Sequence, residues 1–297
     1  MPALISRPTL LGLTAVLMWS TVAVGFKLGL RSMDPIQLLW IGSCFSWVLF
    51  SLCCVVFRSK PRETTHVIRA CVLGLLNPLL YYIVLLTAYD LLPAHVAQPL
   101  NYTWAIVTAL LAIPLLGQKL NRTTFIGILI GYCGVLLLVT KGQFSGSLSF
   151  NPLGVGLALG STLIWAIYWI WSVSIRLDPW WFMWYGFTVA VPLLTVLCYF
   201  TVGFPSPSLT NFAYGAWIGL LEMGFAFLLW QRAISSTSSV AKLSQLIFLS
   251  PMISLILIYT ILDESIHYTA FVGICLIFMG LYVVNRRRIG DRSDMPV

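Results

Sequence analysis

Ten apolar runs of roughly twenty residues follow one another along this chain, and its few charged residues crowd into the short gaps between them. A run of that length crosses the ~30 Å hydrocarbon core of a bilayer as a helix. No water is present there to satisfy backbone N–H and C=O groups, so apolar runs of this kind fold as helices that bond to themselves. Charged residues make up 9% of the chain, against about 25% in soluble domains. The pattern predicts an all-α membrane protein with ten transmembrane helices. They are expected near Pro8 to Leu30, Pro35 to Phe57, Ile68 to Tyr89, His95 to Leu116, Thr123 to Thr140, Pro152 to Ile175, Trp180 to Val202, Phe212 to Ile234, Ser239 to Leu262 and Tyr268 to Asn285.

The formal charge of +8 is topological rather than a nucleic-acid footprint. With the amino terminus in the cytoplasm, every Lys and Arg except Lys27, Arg31 and Lys141 falls on the inner side. The positive-inside rule then places both termini in the cytoplasm of a multi-pass membrane protein. The expected partners are the lipid bilayer and a small-molecule substrate, with no nucleic acid.

The chain also repeats itself. "GQKLNRTTFIGILIGYCG" from Gly117 returns as "DESIHYTAFVGICLIFMG" from Asp263. Gly12 and Asp34-Pro35 return as Gly156 and Asp178-Pro179, and "GLLN" at Gly74 to Asn77 returns as "GLLE" at Gly219 to Glu222, all at offsets of 144 to 146 residues. Each repeat holds five spans, and an odd number forces the second copy to enter the membrane upside down. The expected division is a first repeat over residues 1–142 and an inverted second repeat over 143–297 with a basic tail. Inverted repeats are a transporter architecture, with the substrate site near the midplane. Gly127, Gly131, Gly134, Gly273 and Gly280 allow close helix contact, read as a structural hairpin or a dimer contact. Asp263 and Glu264 are expected at a wet interface, capping a helix start.

Seven cysteines lie in or beside apolar runs without metal-ligand spacing and read as small buried hydrophobes. His66, His95 and His267 stand near helix ends, expected clear of acids and cysteines. No catalytic group, metal site or cofactor is expected, and without a P-loop ATP is not the direct driver.

One ionisable residue lies at the centre of a span. Glu222 sits mid-way along the eighth run, where a charge costs about 2.5–3.5 kcal/mol on insertion scales. It needs a partner from another helix, a proton or a wet cavity. Binding a substrate amine, carrying a coupling proton and a neutral structural role all stay open. Its repeat mate is Asn77, so one half of the site holds charge and the other offers hydrogen bonds. Trp19, Tyr81, Tyr82, Tyr102, Trp165 and Tyr168 fall at similar depth, and aromatic faces attract ammonium groups. Asn101 and Gln245 are candidate polar contacts. Lys242 either snorkels to water, as Lys27 is expected to do, or faces the cavity and favours a carboxylate. Pro78, Pro99 and Pro251 each remove a helix hydrogen bond and are candidate hinges or fixed kinks.

"TLLGLTAVLMWST" at Thr9 to Thr21, "NYTWAIVTALLAIPLLGQKLN" at Asn101 to Asn121 and "GFAFLLWQRAI" at Gly224 to Ile234 resemble the drug/metabolite transporter superfamily. Within it they are similar to EamA-type bacterial exporters, especially those of aromatic amino acids. The resemblance implies ten helices working by alternating access around a cavity lined by spans 1, 3, 4, 6, 8 and 9, with spans 5 and 10 outside it. Glu222 stands where the aromatic exporters look uncharged.

The resulting expectation is a secondary transporter, not an enzyme, that exports amino acids or similar small amphipathic metabolites. Proton antiport through Glu222 and passive facilitation are both open, as are a monomer and a homodimer. The alternative substrates are a nucleotide-like metabolite or a cationic drug, imported or exchanged. A membrane-embedded enzyme on lipid-linked substrates ranks below these, because no acid or histidine cluster is expected at one membrane face.

Overall fold

The computed structural model describes residues 6–57, 64–116, 122–140, 150–172, 174–237, 243 and 245–291. Among them there are ten helices and no strand. They are α1 (Arg7–Leu30), α2 (Pro35–Phe57), α3 (Thr64–Leu91), α4 (Ala94–Leu115), α5 (Arg122–Thr140), α6 (Pro152–Ser172), α7 (Pro179–Thr201), α8 (Leu209–Ser236), α9 (Leu249–Leu262) and α10 (Tyr268–Asp291). Seven are long and apolar enough to cross a membrane, and α5, α9 and α10 carry shorter apolar stretches. Each expected span coincides with one helix. In α9 the helix Leu249–Leu262 follows a 3-10 turn over Gln245–Phe248, and the start of the expected ninth span at Ser239 lies outside the described residues.

The helices form two inverted five-helix repeats, and the main packing joins one repeat to the other. Pairs are α5 with α10, α2 with α7, α1 with α8 and α3 with α6. Lipid tails are as apolar as leucine, so close backbone approach rather than water exclusion drives such pairing. At the α5–α10 crossing a Cβ on Gly134 would lie 2.5 Å from the Gly273 carbonyl oxygen, and one on Gly280 would lie 2.5 Å from that of Gly127. The glycine-spaced contact expected from the repeated segments is therefore made within the chain.

Four helices are broken at repeat-related positions. In α3 a widened turn spans Leu75–Leu80, and Asn77 has non-helical backbone angles (φ −145°, ψ 120°). In α8 the widened turn spans Trp217–Phe225 around Glu222. Helix α4 is interrupted at Thr103, whose hydroxyl donates to the Leu100 carbonyl at 2.7 Å. Its counterpart in α9 is the junction between Phe248 and Leu249. Widened turns free backbone groups and gather at functional sites. Of the proline hinge candidates, Pro78 lies in the α3 break, Pro99 precedes the α4 break by about a turn, and Pro251 falls in the first turn of α9.

Candidate functional site

One side-chain hydrogen bond joins α3, just past its break, to the break in α8. The Tyr82 hydroxyl donates to Glu222 Oε1 at 3.0 Å, which supplies the interhelical partner the sequence requires. The other carboxylate oxygen, Oε2, is buried and has no hydrogen-bond partner among the described residues. Ionised, Oε2 lacks a donor; protonated, its O–H lacks an acceptor. In both states the carboxyl wants one more partner: a donor such as a substrate ammonium when ionised, an acceptor when it carries a proton. Asn77 Oδ1 is likewise buried without a hydrogen-bond partner among the described residues, and the Asn77 side chain neighbours the Tyr168 hydroxyl. Gln98 Oε1 on α4 and Trp169 Nε1 on α6 are also buried without partners. Buried polar atoms are normally satisfied; among the described residues these four and the Ser43 and Ser254 hydroxyls are not. Of the six, Glu222, held by Tyr82, and Trp169, beside Trp165, lie at one aromatic cluster that leaves room for polar groups to come and go.

Aromatic rings wall this place. Trp165 is the hub, with ring centroids 4.5 Å from Tyr81, 5.7 Å from Tyr168, 6.4 Å from Trp104 and 6.4 Å from Phe227. Trp19 closes the α1 side against Phe227 at 5.6 Å and Trp230 at 5.5 Å. A polar chain runs behind the rings: Tyr81 donates to Asn101 Oδ1 at 3.3 Å, and Asn101 Nδ2 donates to Ser161 Oγ at 2.9 Å. The Tyr102 hydroxyl reaches Ser250 on α9 at 3.0 Å. Trp19, Asn77, Tyr81, Tyr82, Asn101, Trp165, Tyr168 and Glu222 thus come together as one cluster from α1, α3, α4, α6 and α8, while the Tyr102 side chain turns to Ser250 of α9 and Phe278 of α10. Lys242 lies outside the described residues, as does the Gln245 side chain.

At the end of the bundle that carries Arg31, the expectation that His95 stands clear of acids is corrected. Glu264, in the loop between α9 and α10, accepts hydrogen bonds from the backbone N–H of Ala94 at 2.8 Å and of His95 at 3.1 Å, and lies 2.6 Å from His95 Nδ1. The carboxylate caps a helix start, as acids do, but the helix is α4 and not its own. Burial by itself raises the Glu264 carboxyl; hydrogen bonds from the His95 ring and the two backbone N–H groups outweigh it and hold the group below its ordinary value. Lys27 also departs from a simple snorkel to water. Its ammonium is seated on the carbonyl oxygens of Tyr89 at 2.8 Å and Leu92 at 3.1 Å, which tie α1 to the end of α3.

Both halves of the chain, residues 7–140 and 152–286, match the EamA-like transporter family. The chain belongs to that family. Among its relatives, the uncharacterized transporter YvbV of Bacillus subtilis is 23% identical over 97% of this chain and 94% of its own length. The aromatic amino acid exporter YddG of Ancylobacter novellus is 26% identical over 85% of this chain and 88% of its own. A probable terminal-alkyne amino-acid exporter of Streptantibioticus cattleyicolor is 30% identical over 38% of this chain and 36% of its own. A crystal structure 24% identical in sequence superposes with a TM-score of 0.65, covering 94% of this chain and 98% of that one, and shares the fold. The family is one of transporters in the drug/metabolite superfamily, and this member is a multi-pass membrane protein.

Several residues of this EamA-family site carry no mark in the sequence. Phe26 meets Tyr82 edge-on at 6.3 Å and Tyr89 at 5.2 Å. Phe227 joins Trp19 to Trp165. A phenylalanine inside an apolar span reads like any lipid-facing residue, so no sequence signal separates these two. Trp217 and Thr21 had one: the indole N–H needs an acceptor in the membrane, and Trp217 donates to Thr21 Oγ1 at 2.9 Å where α1 changes course.

Proposed function

We infer that this EamA-family protein is a secondary transporter of the bacterial inner membrane that exports amino acids or similar small amphipathic metabolites by alternating access. The observation that carries the reading is Glu222, a carboxylate with one oxygen held by Tyr82 and the other unpartnered, set against a wall of rings. Such a pocket suits a solute with an ammonium head and an apolar or planar body, because the carboxylate takes the charge and the π faces take both. Two relatives bear names of amino-acid exporters, which supports the same substrate class. Breaks at matching places in α3 and α8, and in α4 and α9, are where one arrangement gives way to the other. The distribution of basic residues favours the Arg7 end in the cytoplasm and the Arg31 end outside.

The observation also supports a second reading, a purely cationic solute, because no Lys or Arg among the described residues pairs with Glu222. Growth of cells expressing the protein separates the two. Amino-acid export predicts resistance to p-fluorophenylalanine with a lowered internal pool of the analogue, and loss of both with Glu222→Gln. Resistance to ethidium with unchanged sensitivity to p-fluorophenylalanine overturns amino-acid export in favour of the cation.

A further inference from the structure

The Arg31 end holds a second polar place. Lys27, Leu30 and Arg31 of α1, Asp90 of α3, Leu262 of α9 and Glu264 line a cleft of about 200 Å³. The charges in it are unevenly committed. Glu264 is fully engaged by the start of α4 and by His95. Lys27 spends two of its three donors on the Tyr89 and Leu92 carbonyls, which fix its position and leave one donor over. Among the described residues the Arg31 guanidinium and the Asp90 carboxylate, both on exposed residues, have no hydrogen-bond or ion-pair partner. Two opposite charges thus line one small cleft without pairing to each other, beside an ammonium held in place.

That combination matches a ligand carrying both signs a short distance apart. A planar guanidinium fork takes a carboxylate in two parallel bonds, the free Lys27 donor reinforces it, and Asp90 takes an ammonium. The volume lies below the range of about 300–1,000 Å³ usual for ligand pockets, so the cleft has room for a charged head with its side chain left outside. Between this cleft and Glu222 lies a layer of rings: Phe26, one position from Lys27, meets Tyr82 and Tyr89 edge-on, and Tyr82 holds Glu222.

We propose that the cleft formed by Lys27, Arg31 and Asp90 is an exit site that receives the zwitterionic head of an amino acid after it passes the Phe26–Tyr82–Tyr89 layer from the Glu222 site. The proposal rests on the amino-acid reading and adds to it a second, weaker binding step. Arg31 and Asp90 act on substrate leaving or entering from outside, and Glu222 acts on substrate at the centre.

The test is equilibrium binding of radiolabelled L-phenylalanine to the full-length protein in detergent, with phenethylamine and 3-phenylpropionate as competitors. The expected isotherm has two phases. Arg31→Gln and Asp90→Asn each weaken the second phase by about tenfold, the scale of losing a hydrogen bond to a charged group, and leave the first in place; Glu222→Gln shifts the first. Arg31→Gln spares competition by the amine in the second phase, and Asp90→Asn spares competition by the acid, a split that general loosening of the fold does not produce. A single phase indifferent to Arg31 and Asp90 overturns the exit site while the amino-acid reading stands. No phenylalanine binding in either phase, with no efflux of any amino acid, overturns both. Loss of the second phase in nanodiscs containing phosphatidylethanolamine but not in phosphatidylglycerol shows that a lipid headgroup of the same chemistry occupies the cleft, and overturns the exit site.

Discussion

Removing the Glu264 carboxylate tests how far the loop between α9 and α10 holds the Arg31 end together. Three hydrogen bonds converge on it, two from backbone N–H groups at the start of α4 and one from His95. Each bond to a charged group contributes about 1.5–3 kcal/mol in isolation, and an anion at a helix start adds about 0.3–2 kcal/mol. All three share one carboxylate, and the side chain is 15% exposed, so water replaces part of what is lost. Glu264→Ala is therefore expected to cost about 2–4 kcal/mol, roughly a 5–10 °C fall in the thermal midpoint in detergent. Glu264→Gln keeps one acceptor and should recover about half. The difference between wild type and Ala also depends on pH. Because the folded carboxyl lies below its ordinary value of 4.5, its contribution is complete above that value and disappears as pH falls through the lowered folded pKa. A gap present at neutral pH that closes only as pH falls below the ordinary carboxyl value of 4.5 fits the geometry. An Ala variant within 1 °C of wild type at pH 7, or a gap that widens in acid, refutes the reasoning.

Tyr82→Phe removes the donor to Glu222 and leaves both carboxylate oxygens unpartnered, which costs about 1–3 kcal/mol; export should fall at least tenfold with the protein still folded, measured as initial efflux rate per folded molecule. Gly280→Val forces a branched side chain into the Gly127 and Gly131 backbone, so α5 and α10 must separate. Its thermal midpoint should drop by several degrees, while the KM of the protein that folds changes less than for Tyr82→Phe, because α10 reaches the site residues through the Phe278 ring against Tyr102 and touches neither Glu222 nor Tyr82 in any hydrogen bond or ring contact among the described residues. Trp165→Ala removes the ring hub, and loss of binding to aromatic amino acids should exceed the loss for alanine or serine in competition assays.

The ten helices and the inverted repeat are legible because the bilayer enforces them: twenty apolar residues have one fold available there, and "GLLN" and "GLLE" at equal depth betray the duplication. The centre of the site is legible for a related reason. Glu222 at mid-span is costly unless used, and large rings at the same depth as Tyr82 and Trp165 converge with it. Long-range partnership is not legible. Glu264 reaches His95 across 169 positions of sequence, and nothing local to either residue announces it; the acid reads as a cap for its own helix, the nearest one. Lys27 likewise reads as a lysine near water, because backbone carbonyls left over at the end of α3 have no signature in side-chain letters. The widened turn around Asn77 packs against α6 and α7 and the one around Glu222 against α2, neighbours that no local sequence signal names, and Pro78 hints at just the first of them.

The central claim is that substrate moves through the bundle by way of Glu222. Its most direct test is efflux from proteoliposomes loaded with all twenty amino acids, compared with protein-free liposomes and with Glu222→Gln. Selective release of a subset by the wild type, reduced at least tenfold in the variant at equal incorporation, is the predicted result. Release no faster than from protein-free liposomes for every amino acid, or efflux unchanged by Glu222→Gln, contradicts it.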